Sequence, residues 1–263
     1  MIILIFYGKY QDHKETGVTL KITFVIPTYK EAENLPKIAA AVFNLPLPDL
    51  NLLIVDDNSP DGTGDIAEKL SVEYKGRLKV IHRQGKMGLG SAYITGFKQA
   101  IEDGADAIGQ MDADFSHPID KINMMAQAIN SYDVVIGSRY VKGGKLDERW
   151  PLWRKWLSGF GNVYARTILM LPLLDVTGGF KLWRRSTLLG MPLDRIKSNG
   201  YIFQVEMNYV ARKLGYTFTE IPIYFADRRW GESKMSFRIQ IEAAIRTWQL
   251  IGMYWNLKKN HTA

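Results

Sequence analysis

Asn51-Leu52-Leu53-Ile54-Val55-Asp56-Asp57-Asn58-Ser59-Pro60-Asp61-Gly62-Thr63 reads as a buried strand that ends on two aspartates, turns through Asn58–Asp61 and enters a helix at Gly62. A short apolar run bounded by turn residues fits a strand covered on both faces, the habit of parallel sheets. The same unit recurs on either side. Apolar, β-branched runs at Ile22–Ile26, Leu78–Ile81, Ala107–Met111 and Asp133–Gly137 alternate with helix-period stretches beginning near Glu31, Gly62, Leu89 and Ile119. This alternation predicts an α/β fold with a mostly parallel sheet flanked by helices. Thr28 and Glu31 have the spacing of a capping box, which sets the expected start of the first helix. In doubly wound sheets ligands sit beyond the carboxyl ends of the strands, so the residues directly after each strand are the first candidates for a site.

The chain has 263 residues, 46% of them hydrophobic, enough to bury a sizeable core. It contains no cysteine, which excludes disulfides, thiolate metal sites and a cysteine nucleophile and suits a cytoplasmic enzyme. An excess of 34 Lys+Arg over 27 Asp+Glu gives +7, equally suited to phosphates, anionic lipid or nucleic acid. Residues 1–20 read as an N-terminal extension without functional assignment. Their apolar start, Met1–Tyr7, falls far short of the roughly 20 residues that span a bilayer and lacks the flanks of a secretory signal.

After Arg139 the pattern changes. Trp150, Trp153, Trp156, Phe160 and Tyr164 recur at helical spacing beside Arg149, Arg154 and Arg166. Phe237, Ile241, Ala244, Ile245, Trp248, Ile251 and Trp255 mark one face of a second helix that ends at Lys258 and Lys259. Both helices read either as packing on the sheet or as lying in a membrane interface, where Trp with Lys and Arg is the typical composition.

Three strand ends carry chemistry. Asp112 and Asp114 follow Ala107–Met111, and two carboxylates so placed can converge on a hard cation whose other ligands are water and phosphate oxygens. An isolated Asp-x-Asp is more often a solvated turn; the companion motifs favour the cation. Asp56 or Asp57 can accept hydrogen bonds from a ribose or base, although Asn58–Asp61 alone reads as a tight turn with a helix cap. Pro27-Thr28-Tyr29-Lys30-Glu31 offers a ring and a carboxylate. His82 reads as structural, His117 as structural in the first place and as a support for the acidic motif in the second, and the Gly85–Gly90 loop with Lys86 as a phosphate contact or a lid.

Together with Gly88-Leu89-Gly90, Met111–Pro118, Gly137-Ser138-Arg139-Tyr140, Arg154 with Ser158, Thr177–Lys181, Gly200–Gln204 and Asp227–Lys234, these motifs resemble glycosyltransferase family 2 with the GT-A fold. They are similar in particular to the dolichol-phosphate (polyprenol-phosphate) mannose synthases, over about residues 21 to 250. The resemblance implies a single GT-A (Rossmann-like) catalytic domain over 21–263, with a nucleotide-binding half (21–137), an acceptor-binding half (138–235) and a C-terminal amphipathic helix (236–263). It implies that Pro27, Tyr29, Glu31, Asp56 and Asp57 meet the guanosine of GDP-mannose. Asp112 and Asp114 would hold Mg2+ or Mn2+ and the donor sugar, while Arg228 and Lys234 would meet the diphosphate or the sugar. Arg139, Arg154 and Ser158 would clamp a dolichyl or polyprenyl phosphate. Ser116 stands where some members carry a glutamine metal ligand, and a hydroxyl is the weaker donor.

The resemblance further implies peripheral attachment to the cytoplasmic face of a membrane, with or without a separate anchoring subunit, and no nucleic-acid partner. The implied chemistry is physically coherent. A diphosphate leaving group gains negative charge that a cation, Arg228 and Lys234 can neutralise, and arginine forks match a phosphate acceptor. With a second pKa of about 6, a lipid phosphate needs positioning more than deprotonation. The expected reaction is therefore a single displacement with inversion. The rival readings are another lipid-linked sugar transferase such as a glucosyltransferase, a sugar-phosphate nucleotidyltransferase, and a basic nucleic-acid-binding module. The nucleotidyltransferase would need a basic, Gly-rich loop after the first strand, where Pro27–Glu31 stands. The acidic strand ends would repel a nucleic-acid backbone.

Overall fold

The computed structural model describes residues 20–227 and 237–258, with side chains of the last helix described from residue 242. The first half alternates as expected: β1 (Ile22–Thr28), α1 (Leu35–Phe43), β2 (Leu50–Asp56), α2 (Thr63–Glu73), β3 (Leu78–His82), α3 (Leu89–Glu102), β4 (Ala107–Gln110), α4 (Ile122–Ala128) and β5 (Val134–Ser138). The remainder adds β6 (Lys145–Leu146), α5 (Leu152–Ile168), β7 (Lys181–Arg184), α6 (Arg185–Gly190), α7 (Tyr201–Lys213), β8 (Phe218–Pro222), β9 (Tyr224–Phe225) and α8 (Phe237–Met253).

Seven strands form one sheet in the order β3-β2-β1-β4-β7-β5-β8, and β6 pairs with β9 in a small second sheet. The sheet is mostly parallel, but β7 runs antiparallel to both β4 and β5. The sequence did not announce this insertion, because Lys181 and Arg184 flank only two apolar residues. Side chains alternate across the sheet with period two. Phe24, Ile26, Leu52 and Ile54 pack with α1, α2 and α4 on one face. Val25, Leu53 and Val55 pack with α3, and α5 to α8 complete that second layer. Gly96 allows α3 to lie this close, since a Cβ there would stand 2.3 Å from Val25 Cγ1.

One expectation is corrected. The first helix begins at Leu35, not near Glu31, and no capping box forms. Thr28 instead closes β1 and donates its hydroxyl to Asp56 Oδ1 at 3.0 Å, while the Glu31 amide donates to Thr63 Oγ1 at 2.9 Å. The groups a cap would use therefore tie the end of β1 to β2 and to α2, and Pro36 fixes the first helical turn.

Of the two readings of the aromatic helices, packing on the sheet fails for most of their aromatic residues. Trp150 lies ahead of α5 and is buried, but Trp153, Trp156 and Phe160 are 67%, 76% and 56% exposed. In α8 the inward residues are Thr247 and Leu250, followed by Tyr254, whereas Ile245, Trp248 and Trp255 face outward. The inward face is thus rotated from the predicted stripe, set by Tyr254 against Tyr209 of α7. Trp248 Nε1 donates to the Tyr164 hydroxyl at 3.0 Å, which joins the two exposed aromatic faces. Among the described residues, no helix is long and apolar enough to cross a membrane.

Candidate active site

Because β1, β2 and β4 are parallel neighbours, the residues after them emerge at one edge of the sheet. At the β2 end, Asp56 is buried and accepts from Thr28 Oγ1, from Ser59 Oγ at 2.6 Å and from the Ser59 amide at 3.0 Å. Its carboxylate thus orders the turn into α2, and Asp61 caps that helix through the Thr63 amide and hydroxyl. Asp57 makes a buried ion pair with Arg83 Nε at 2.5 Å. The Arg83 guanidinium also donates to Ser91 Oγ at 2.7 Å and to the Gly88 carbonyl, so it links β2, β3 and the start of α3. Tyr29 is half-buried, with Lys86 Nζ 4.2 Å from its ring centre. Pro27 pairs with Val55 inside the sheet, and Glu31 accepts from Asn34 Nδ2 at 2.8 Å. His82 is exposed and bonded to Glu68 at 2.7 Å.

At the β4 end, the acidic motif folds back on itself. The Ser116 amide donates to Asp114 Oδ1 at 3.0 Å, and the Asp112 amide donates to His117 Nδ1 at 3.1 Å. His117 is buried, stacked on Phe180 at 5.2 Å and edge-on to Phe225. Burial lowers its pKa against the pull of Asp112 and Asp114. With Nδ1 accepting an amide proton, the neutral ring carries its own proton on Nε2. Ser116 Oγ is buried with no hydrogen-bond partner. A buried hydroxyl with no protein partner beside two carboxylates is suited to ligate a cation, since such a group otherwise costs free energy to bury. Among the described residues no group of three or more His, Cys, Asp or Glu gathers as a self-sufficient metal cage. Two carboxylates with a hydroxyl instead match cations that keep water and phosphate ligands.

The basic side of the site is built around Phe225. Arg139 is buried and donates Nε and Nη2 to Asp175 Oδ2 and Oδ1, both at 2.7 Å, with Nη2 also reaching Thr177 Oγ1. Burial alone would weaken the guanidinium's charge, but Asp175 outweighs it and raises the pKa. The Arg139 guanidinium lies 5.4 Å from the Phe225 ring centre, and Trp150 meets Phe225 edge-on at 5.8 Å. Arg154 lies 3.7 Å over Trp150 and donates to Asp227 Oδ1 at 3.2 Å, an oxygen shared with Trp150 Nε1. Ser158 Oγ bonds the Tyr140 hydroxyl at 2.8 Å. Arg228 and Lys234 lie outside the described residues.

Residues 23–189 match the family described as Glycosyl transferase family 2. The chain belongs to glycosyltransferase family 2. It is 42% identical to an undecaprenyl-phosphate mannosyltransferase of Micrococcus luteus, across 91% of this chain and 98% of that protein. It is 39% identical to a polyprenol monophosphomannose synthase of Mycolicibacterium smegmatis, across 87% and 86% of the two chains. The fold is similar to glucosyl-3-phosphoglycerate synthase of Mycobacterium tuberculosis, crystallised with Mg2+ and uridine diphosphate. That match has a TM-score of 0.60 at 15% identity, covering 89% of this chain and 79% of the other. At that identity the likeness concerns the fold alone.

Sequence reasoning about this glycosyltransferase missed the partners of its arginines. It also missed Arg83, the partner of Asp57; Asp175 and Arg83 carry no spacing signal because each finds its partner across the fold, and Asp147 joins a near neighbour, Arg149, to a distant amide. Asp147 accepts the Asp227 amide at 2.7 Å and binds Arg149. The Arg149 bonds, then that amide, hold its carboxyl well below the usual range.

Proposed function

We propose that this glycosyltransferase transfers mannose from GDP-mannose to a polyprenyl phosphate, in one displacement with inversion at the sugar carbon. The observation that carries the reading is the joining of the acidic and basic motifs by one short segment. Ala226 donates its amide to the Ser116 carbonyl at 3.2 Å, and its neighbours Phe225 and Asp227 touch Arg139 and Arg154. A donor phosphate at the acidic motif and an acceptor phosphate at the arginines would then share one rigid wall. The two relatives named for mannose transfer to polyprenyl phosphates support the substrate pair.

In this reading Pro27, Tyr29 and Glu31 line the nucleoside pocket, while Asp56 and Asp57 hold its floor through the turn and Arg83. Asp112, Asp114 and the Ser116 hydroxyl would hold Mg2+ or Mn2+, which supplies charge neutralisation for the departing diphosphate. Arg228 and Lys234 add positive charge there. Arg139, Arg154 and Ser158 position the acceptor phosphate, which is anionic enough at neutral pH to attack without a general base. The exposed aromatic faces of α5 and α8, with Arg149 and Lys258 beside them, fit the interface of a membrane that carries the lipid acceptor.

The direct test incubates the purified protein with labelled GDP-mannose, a short polyprenyl phosphate, and Mn2+, Mg2+ or EDTA. A mannosylated lipid formed only with metal, and lost in an Asp112→Asn, Asp114→Asn double variant that stays folded, is the expected result. A UDP-glucose arm that alone gives product would replace the donor assignment, and no lipid product with any donor would refute the proposal.

A further inference from the structure

Tyr93 belongs to none of the motifs that drew attention in the sequence, yet it reaches the centre of the site. It lies on α3, is fully buried, and donates its hydroxyl to Asp112 Oδ1 at 3.3 Å. We propose that Tyr93 is a positioning residue of the transfer reaction, its hydroxyl fixing the rotation of the Asp112 carboxylate that meets the donor. The role rests on the reading of Asp112 as a donor-site group.

The ring cannot easily turn away. It stacks nearly parallel on Phe203 of α7 at 5.7 Å and 4°, and on Phe97 at 5.8 Å. Phe203 in turn closes on the start of α3, where a Cβ on Gly90 would stand 2.9 Å from the Phe203 ring and 2.3 Å from the Ser198 carbonyl. Only glycine permits this approach, which seats α3 and the Tyr93 ring against α7. A carboxylate only accepts hydrogen bonds, and the phenolic O–H supplies the donor it needs here.

Asp112 is therefore held both by its own loop and by α3. His117 takes its backbone amide, and Tyr93 takes one carboxylate oxygen. The terminal torsion of a carboxylate is intrinsically broad, so its hydrogen bonds decide where the oxygens face. Fixing that rotation before the ligand arrives removes an ordering cost from binding. A purely structural role would ask only for the ring, which phenylalanine supplies equally well.

Tyr93→Phe keeps the stack and removes the donor, so it separates the two roles. Affinity for GDP is measured by calorimetry on the full chain with Mn2+ and with EDTA, beside the melting temperature and the KM for GDP-mannose. The expected result is an unchanged melting temperature, an unchanged affinity in EDTA, and about a tenfold weaker Mn2+-dependent affinity, or about 1.4 kcal/mol. In an Asp112→Asn background the same substitution should add no further loss, because Tyr93 acts through Asp112. Undiminished GDP affinity with Mn2+, or an equal further loss in that background, overturns the role. Should Tyr93→Phe fail to fold, Phe203→Leu loosens the ring while keeping the hydroxyl. It should weaken the same affinity about threefold, and no change would overturn the role. Wild-type protein that binds no nucleoside diphosphate, with or without Mn2+, refutes the donor-site reading itself and the role with it.

Discussion

Asp175→Asn probes the arginine side of the site with the least change in shape. Four N–H groups converge on the fully buried Asp175 carboxylate. The Arg139 amide and Nε reach Oδ2 at 3.0 and 2.7 Å, and Arg139 Nη2 and the Gly178 amide reach Oδ1 at 2.7 and 3.0 Å. Asparagine offers one acceptor oxygen, so one pair of donors faces an amide NH2 and loses its partner. Each buried orphan costs about 1–3 kcal/mol, and Arg139 keeps its charge without a counter-ion. Breaking a buried ion pair in this way costs about 3–5 kcal/mol, a large share of the roughly 5–15 kcal/mol that holds a domain folded.

Urea unfolding at pH 7 measures the loss directly, and melting should drop by roughly 10 °C. The pH dependence gives a second handle. Burial raises the Asp175 carboxyl, but the Arg139 charge and the amides outweigh it and hold the folded value below the ordinary one. Its contribution is complete above the unfolded pKa of about 3.9 and is lost as pH falls through the folded value. The gap between wild type and variant should therefore persist from neutral pH down to that unfolded value and narrow on further acidification. If Arg139 also grips the acceptor phosphate, the variant raises the KM for polyprenyl phosphate more than that for the donor. A stability loss below about 1 kcal/mol, the range of an exposed ion pair, would refute the reasoning.

Two further outcomes test other parts of the structure. Replacing exposed Trp153 and Trp156 with serine should leave thermal melting unchanged but weaken flotation with vesicles containing anionic lipid. If half of each exposed indole enters lipid, about 150 Å2 is lost in total, or about 4 kcal/mol; unfolding instead of release would return both residues to a packing role. Lys181 is fully buried with Gln204 O and Oε1 as its acceptors, and burial lowers its ammonium to about 7 from 10.5. Between those values the unfolded chain binds more protons, so wild-type stability should rise by about 2 kcal/mol from pH 7 to 9. Lys181→Met should abolish that rise in denaturant titrations, and an unchanged slope would show that Lys181 does not cause it.

The first half of the fold was legible because each strand is a short, largely apolar run with its turn and helix in sequence beside it. Local periodicity is enough to place Ile22–Thr28, Leu50–Asp56 and Ala107–Gln110 in one sheet, and Asp112 and Asp114 follow as strand-end residues. What the chain alone could not convey was pairing across distance. The motif residue Arg139 finds Asp175, Asp57 finds Arg83, and Tyr93 finds Asp112 only when the sheet brings separate elements together. The antiparallel β7 was hidden for the same reason: strand direction is a property of neighbours, and Lys181-Leu182-Trp183-Arg184 has no local pattern that declares them.

The amphipathic helices show where the boundary falls. Sequence established that aromatic side chains recur at helical spacing over α5 and α8, since that needs only the 3.6-residue period. Which stripe turns inward was decided by tertiary packing. Thr247, Leu250 and Tyr254 meet the core while Trp153, Trp156 and Trp248 remain outside, because a helix buries whichever side its neighbours can accommodate, and those neighbours are distant in the chain.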